Sequence, residues 1–237
     1  MTLSVVIPAY NEEKYLRDCL QSCMDHAPDS LLEIIVVDNA STDNTTAVAK
    51  SFPGVRVISE PRKGLTHARQ CGLLAARGDL IAYIDADTRV PADWFHILAR
   101  EFAEDPGMVC LSGPYDYYDL PEWQRMTVKL YWNTLARSAY RVTHYMVVGG
   151  NFVAKREALQ AIGGFDTRIP FYGEDTNIAR RLHAAGRVKF LQEFTILTSG
   201  RRFREKGFLG NGAVYVANFL SQAVMKKSMT KHYVDVR

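Results

Sequence analysis

From residue 3 to residue 84 the chain alternates short, nearly unbroken apolar runs with stretches of helical periodicity, a pattern few folds accept. Residues 3–7 (Leu-Ser-Val-Val-Ile) predict a strand that Pro8 should stop, because proline cannot donate to a ladder. Asn11-Glu12-Glu13 should then start a helix bearing Tyr15, Leu16, Cys19, Leu20 and Cys23 at helical spacing. A second strand is expected over 33–37, a helix capped by Ser41-Thr42-Asp43 over 45–51, and a third strand over 55–58. Gly64 opens a helix through Ala68, Cys71, Leu74 and Ala75, Gly78 lies beyond its end, and residues 80–84 form a fourth strand. Strands this apolar are buried on both faces. The expected class is therefore α/β, a mostly parallel sheet with helices on both faces.

Such sheets bind ligands at the carboxyl ends of their strands. Polar groups gather there: Tyr10 and Glu12 after the first strand, Asp38 after the second, Asp85 and Asp87 after the fourth. In Leu80-Ile81-Ala82-Tyr83-Ile84-Asp85-Ala86-Asp87 the two carboxylates are two residues apart, so strand alternation would turn both toward one pocket. A pair of hard oxygen ligands suits a divalent cation that also meets phosphate oxygens. A solvated turn is the plain alternative, since Asp is common where strands end.

Further along, 91–102 reads as a helix and 108–111 as a strand, followed by an aromatic stretch that includes Tyr115, Trp123, Tyr131, Trp132 and Tyr140. Val128, Tyr131, Trp132, Leu135, Ala139, Val142 and Met146 fall at helical spacing, with Arg125, Lys129, Arg137 and Arg141 on another face. The expectation is core packing for the first set and a solvated basic face for the second, although aromatics for a sugar ring or cations for a lipid phosphate would use the same pattern. Gly149-Gly150-Asn151 leads a short strand over 152–154, a helix follows over 156–162, and a glycine-bearing loop runs to Gly173. Glu174-Asp175 opens a helix through Ile178, Ala179, Leu182 and Ala185, and 188–191 is a last strand. Residues 208–225 carry no charge but hold Asn211, Asn218, Ser221 and Gln222, which predicts a docked or interfacial helix, not a span.

The net charge of +3 is uneven: residues from Gly200 onward carry +6, leaving −3 for the rest. A basic tail on a mildly acidic body fits a phosphate-bearing ligand or an anionic surface, and no nucleic-acid partner is expected. Four scattered cysteines make no zinc pattern and read as small reduced hydrophobes, and the start of the chain lacks a basic leader. A cytoplasmic protein is expected, with peripheral contact at the inner membrane face as an option.

Val6-Ile7-Pro8-Ala9-Tyr10-Asn11-Glu12-Glu13, Val37-Asp38-Asn39-Ala40-Ser41-Thr42-Asp43, Gly64 with Ala68-Arg69, Asp85-Ala86-Asp87, Gly163-Gly164-Phe165-Asp166 and Glu174-Asp175 stand in a recognisable order. Across residues 3–190 or so the chain resembles a family 2 glycosyltransferase of GT-A fold. The resemblance implies an inverting transferase using a nucleotide-diphospho-sugar, preferably uridine-based, with Mg²⁺ or Mn²⁺. It implies that Pro8, Tyr10, Glu12, Asp38, Arg69 and Asp85 serve the donor nucleotide, that Asp87, with Asp85, holds the metal, and that Asp175 is the general base. Arg201 and Arg202 resemble, more loosely, a diphosphate-contacting pair. The resemblance does not specify the acceptor: the basic helix face and the uncharged run at 208–225 suit a polyprenyl phosphate at a membrane surface, and a glycan or small molecule is equally compatible. The expected organisation is a catalytic domain over 1–200, with a nucleotide-binding half to about 112 and an acceptor half from 113, followed by a basic segment over 201–237.

The chemistry asks for such groups. Charge grows on a departing diphosphate, and a Lewis acid or a guanidinium fork meets it without proton transfer. The acceptor hydroxyl is a poor nucleophile, and a carboxylate taking its proton is worth roughly 10²–10⁴-fold. Glu174-Asp175 could otherwise be plain helix-start carboxylates. A nucleotidyltransferase or a dinucleotide-binding oxidoreductase would place a glycine-rich loop where Pro8-Ala9-Tyr10-Asn11-Glu12 stands. A silent nucleotide-sugar-binding scaffold is the rival of another class, and loss of Asp87 or Asp175 would have favoured it.

Overall fold

The computed structural model describes residues 1–169 and 173–206. The expected alternation is there: β1 (Leu3–Ala9), α1 (Leu16–Asp25), β2 (Leu31–Asp38), α2 (Thr45–Lys50), β3 (Val55–Ser59), α3 (Leu65–Ala75) and β4 (Leu80–Ile84). Then come β5 (Thr88–Arg89), α4 (Trp94–Glu104), β6 (Met108–Ser112) and β7 (Tyr115–Tyr117). The long helix is α5 (Glu122–Tyr131), a π-helical turn (Trp132–Ala136) and α6 (Arg137–Thr143). Last are β8 (Asn151–Lys155), α7 (Arg156–Ala161), α8 (Glu174–His183), β9 (Arg187–Phe190), β10 (Ile196–Thr198) and α9 (Arg201–Lys206).

The main sheet runs β3-β2-β1-β4-β8-β6-β9. Its first four strands are parallel, and β8 enters antiparallel to both β4 and β6. A small second sheet, β5-β10-β7, stands beside the end of β4. Alternation along β1 divides the core: Leu3, Val5 and Ile7 pack in one buried cluster, Val6 with Ile35 and Val37 in the other. A third cluster joins Ala136, Met146, Val148 and Phe190, with Tyr131, Trp132 and Tyr140 against it.

Three local expectations change. Pro8 lies inside β1, paired with Val37, because pairing to β4 has already ended at Val6–Tyr83 and no ladder bond is lost on that side. The first helix begins at Leu16 and not at Asn11: Asn11 has φ 54°, and residues 11–15 form a polar turn. The stripe expected to pack residues 128–146 into the core is broken by the π turn. Its extra residue shifts the register, so Ala136 is buried while Leu135 and Val142 are 64% and 81% exposed. The uncharged run at 208–225 lies outside the described residues.

Candidate active site

The loops after β1 and β2 are stapled by hydrogen bonds. Glu12 N–H donates to Thr45 Oγ1 at 2.7 Å, Thr42 N–H to Asn11 Oδ1 at 2.8 Å, and Asn44 N–H to Glu13 Oε2 at 3.0 Å. Asp38, at the end of β2, accepts from Ser41 N–H (3.1 Å) and Thr46 Oγ1 (2.9 Å). Asn39 spans to the next turn, donating to the carbonyls of Glu60 and Arg62 and accepting from Gly64 N–H. Lys63 donates to the Tyr10 hydroxyl and sits 4.2 Å over its ring. Tyr10, Asp38 and the turn before α3 thus share the edge where β1 and β2 end, the rim to which the nucleotide was assigned.

Asp85 and Asp87 lie past the last residue of β4, so strand alternation does not govern them. They turn to different arginines. Asp85 Oδ1 is 3.4 Å from Arg69 Nη2, and its Oδ2 accepts from the Tyr115 hydroxyl at 3.1 Å. The Tyr115 hydroxyl accepts in turn from Gly150 N–H at 2.8 Å. A Cβ on Gly150 would stand 2.2 Å from Asp85 Oδ2, so only glycine lets that backbone approach. Asp87 is buried and its Oδ2 is 3.0 Å from Arg201 Nε, an ion pair without hydrogen-bond alignment. Burial pushes the Asp87 carboxyl up to about 6; Arg201 pulls it down, and the Glu12 and Asp85 charges push it further up.

Arg201 closes over this pair. Its two terminal nitrogens donate to Glu12 Oε2 and Oε1 at 2.8 and 2.6 Å, and its guanidinium lies 4.8 Å from the centre of the Tyr15 ring. Asp119 anchors the segment that delivers it, accepting from Ser199 Oγ (2.7 Å) and Gly200 N–H (2.5 Å) and pairing with Arg204 at 3.0 Å. The guanidinium expected to face a diphosphate is thus engaged by two buried carboxylates, while Arg202 beside it is partly buried.

Arg69, expected to serve the nucleotide, is fully buried on α3 and faces inward. Its Nη1 is 3.3 Å from Glu174 Oε1, while Nη2 takes Asp85. It therefore ties the end of β4 to the first turn of α8. Gly173, with φ 90°, ends the preceding loop and turns the chain into α8. Glu174 is buried there, and its carboxyl is pushed up to about 8 by desolvation and the Asp175 charge, against the pull of Arg69. Asp175 is also raised by burial, opposed by Arg69 and by backbone N–H groups, one of which, that of Thr176, donates at 2.8 Å. Tyr115, Gly150 and Glu174 as the Arg69 partner were not singled out as site residues in the sequence. Tyr115 was one aromatic among many, and nothing in its spacing marked it.

Asp85 and Asp87 are hard oxygen donors of the type a divalent cation takes, while among the described residues no three potential ligands form a cluster. Both carboxylates are engaged by arginines, Asp85 by Arg69 and Asp87 by Arg201, and each arginine also holds a glutamate, Glu174 and Glu12 respectively. A magnesium-like ion needs only one or two carboxylates when phosphates and water complete its shell.

This architecture is that of GT-A glycosyltransferases. Over 94% of this chain and 63% of theirs it superposes on mannosyltransferase PcManGT from Pyrobaculum calidifontis, in complex with GDP-Man and Mn²⁺, with TM-score 0.71 and 23% identity. Over 94% of this chain and 78% of the other it superposes on glucosyl-3-phosphoglycerate synthase from Mycobacterium tuberculosis, in complex with Mn²⁺, UDP and phosphoglyceric acid, with TM-score 0.63 and 21% identity. The sequence is 30% identical over 121 residues to putative glycosyltransferase EpsH of Bacillus subtilis, covering 49% of this chain and 35% of that protein. The chain thus spans about a third of the length of that curated relative. Residues 4–163 match the family described as Glycosyl transferase family 2, and the chain belongs to that family.

Proposed function

We propose that this chain moves a sugar, with inversion, from a nucleotide-diphospho-sugar to an acceptor hydroxyl or lipid phosphate, with a uridine donor favoured. The observation that supports it is the linkage of four acidic side chains through two buried arginines. Glu12 and Asp87 meet at Arg201. Asp85 and Glu174 meet at Arg69, with Asp175 adjacent. The donor half is assigned to about residues 1–112 and the acceptor half to 113–200. Arg201, from the basic segment 201–237, reaches back into the donor half.

In this reading Tyr10, Pro8 and Asp38 line the nucleotide pocket, and Asp87 with Asp85 would hold Mg²⁺ or Mn²⁺. When bound, that ion supplies Lewis-acid stabilisation of charge on the departing diphosphate. Arg201 and Arg202 are cationic forks beside the same place. The acceptor hydroxyl attacks the anomeric carbon opposite the leaving oxygen, and Asp175 takes its proton. Glu174 and Asp175 titrate as a pair. The N–H of Thr176 and the helix N-terminus favour charge on Asp175, so Glu174 keeps its proton while Asp175 acts as base. A raised carboxyl is also a better base near neutrality. Acceptors compatible with this site are a glycan, a small molecule or a polyprenyl phosphate.

The test is release of free nucleoside diphosphate from a panel of nucleotide sugars with Mn²⁺ or Mg²⁺, with and without acceptor. Release from at least one donor, reduced by chelator, supports the reading. No release from any donor, with nucleotide bound, would favour the silent scaffold.

A further inference from the structure

The helix from Glu122 to Thr143 has two very different sides. Its inner side is clamped to β9 and the turn that follows: the Trp132 ring lies 5.8 Å from that of Phe190, Tyr140 donates to the Val188 carbonyl at 3.3 Å, and Gln192 donates to the Trp132 carbonyl at 2.9 Å. Tyr131 also feels the Asp175 charge, which together with burial raises its phenol. The outer side exposes Met126, Leu130, Leu135 and Val142 at 63–81% each. These positions are four, five and seven residues apart. The five-residue step, from Leu130 to Leu135, crosses the π turn, where one extra residue is accommodated, so the apolar row continues on the solvent side. An apolar row of this length on a helix is unusual unless something covers it.

Charge identifies the cover. From Trp123 to Thr143 there is no Asp or Glu, whereas Arg125, Lys129, Arg137 and Arg141 are all cationic. Arg125 and Lys129 pair with Asp116. Arg137 and Arg141 are exposed and have no ion pair among the described residues. A second copy of this face would bring like charges together. A surface of anionic headgroups over acyl chains matches both features, with Arg137 and Arg141 among phosphates and Met126, Leu130 and Leu135 below them. No helix among the described residues is long and apolar enough to cross a membrane, and this one has the build of a helix that lies in the interface.

We propose that the outer face of residues 122–143 docks this protein on an anionic lipid bilayer. The docking stands on the helix alone. Its consequence, that an acceptor is presented to Asp175 from the membrane surface, rests on the transferase reading above.

The test is co-sedimentation of the full chain with vesicles of phosphatidylcholine alone or with phosphatidylglycerol at about a third of the lipid. Parent protein is compared with Leu130→Glu/Leu135→Glu and with Arg137→Glu/Arg141→Glu. All four side chains are exposed, and circular dichroism melts confirm folding. The expected result is binding to the anionic vesicles at least tenfold tighter than to neutral ones, weakened at least tenfold by either double variant, since each basic residue near the surface is worth about fivefold. Release of nucleoside diphosphate from donor in water should be unchanged in both. Equal pelleting of parent and variants, or no pelleting, would overturn the proposal. So would a dimer in sedimentation velocity that Leu130→Glu/Leu135→Glu dissolves without altering vesicle binding. Vesicle binding without nucleotide release would leave the docking standing and remove the transferase reading instead.

Discussion

Replacing Arg69 by methionine tests the link between the two halves of the site. The guanidinium is 2% exposed and reaches two carboxylates, Glu174 at 3.3 Å and Asp85 at 3.4 Å. Breaking a buried pair by removing one member costs about 3–5 kcal/mol. The lower end applies, because the Asp85 side chain is 35% exposed and regains solvent, and because Glu174, raised to about 8, is already largely protonated at pH 7 and leaves no full buried charge behind. About 3 kcal/mol in a chain of this size lowers the melting temperature by roughly 6–12 °C. The pH dependence has a definite sign. Glu174 is raised in the folded state to about 8, so its folding contribution is lost as pH rises from the unfolded carboxylate range through that value. Without Arg69 it titrates higher still, so the gap between parent and variant widens from pH 7 to pH 9. Arg69→Lys keeps the charge but not the two-armed span and should fall between. Thermal melts by circular dichroism at pH 7 and 9 decide it. A variant within 2 °C of the parent at both would refute the linkage.

Other perturbations follow from the same geometry. Asp175→Asn should leave donor affinity near that of the parent and cut turnover at least a hundredfold, the low end of a general-base contribution, read as transfer kinetics beside nucleotide titration. Because Asp87 is raised to about 6 and must be ionised to hold a cation, metal-dependent nucleotide affinity should fall below pH 6, and a flat profile between pH 5 and 7 would contradict the assignment. Gly150→Ala drives a methyl into Asp85 and the Tyr115 hydroxyl, so it should cost about 1–3 kcal/mol in urea unfolding and lower activity as well.

The fold was legible because strand composition and helix spacing in residues 3–84 admit one architecture, and the matched strands differ from expectation by a residue or two. Pro8 misled because its effect depends on which neighbour still pairs at that height, a tertiary fact. The long helix misled for a similar reason. A fixed period of 3.6 placed Leu135 and Val142 inside, and a single π turn put them outside. At the site, residue types could be named but not partners. Arg69 pairs with Glu174 across 105 positions, and Arg201 with Glu12 across 189, and no local pattern encodes either contact.

Calorimetric titration of uridine diphosphate, with guanosine diphosphate alongside, into the parent, Asp87→Ala and Asp175→Asn proteins, each with Mn²⁺ and with chelator, bears most directly on the account. It predicts metal-dependent binding of a nucleoside diphosphate by the parent and by Asp175→Asn, and loss of the metal-dependent part in Asp87→Ala. Affinity that is identical with and without metal in all three proteins would contradict it.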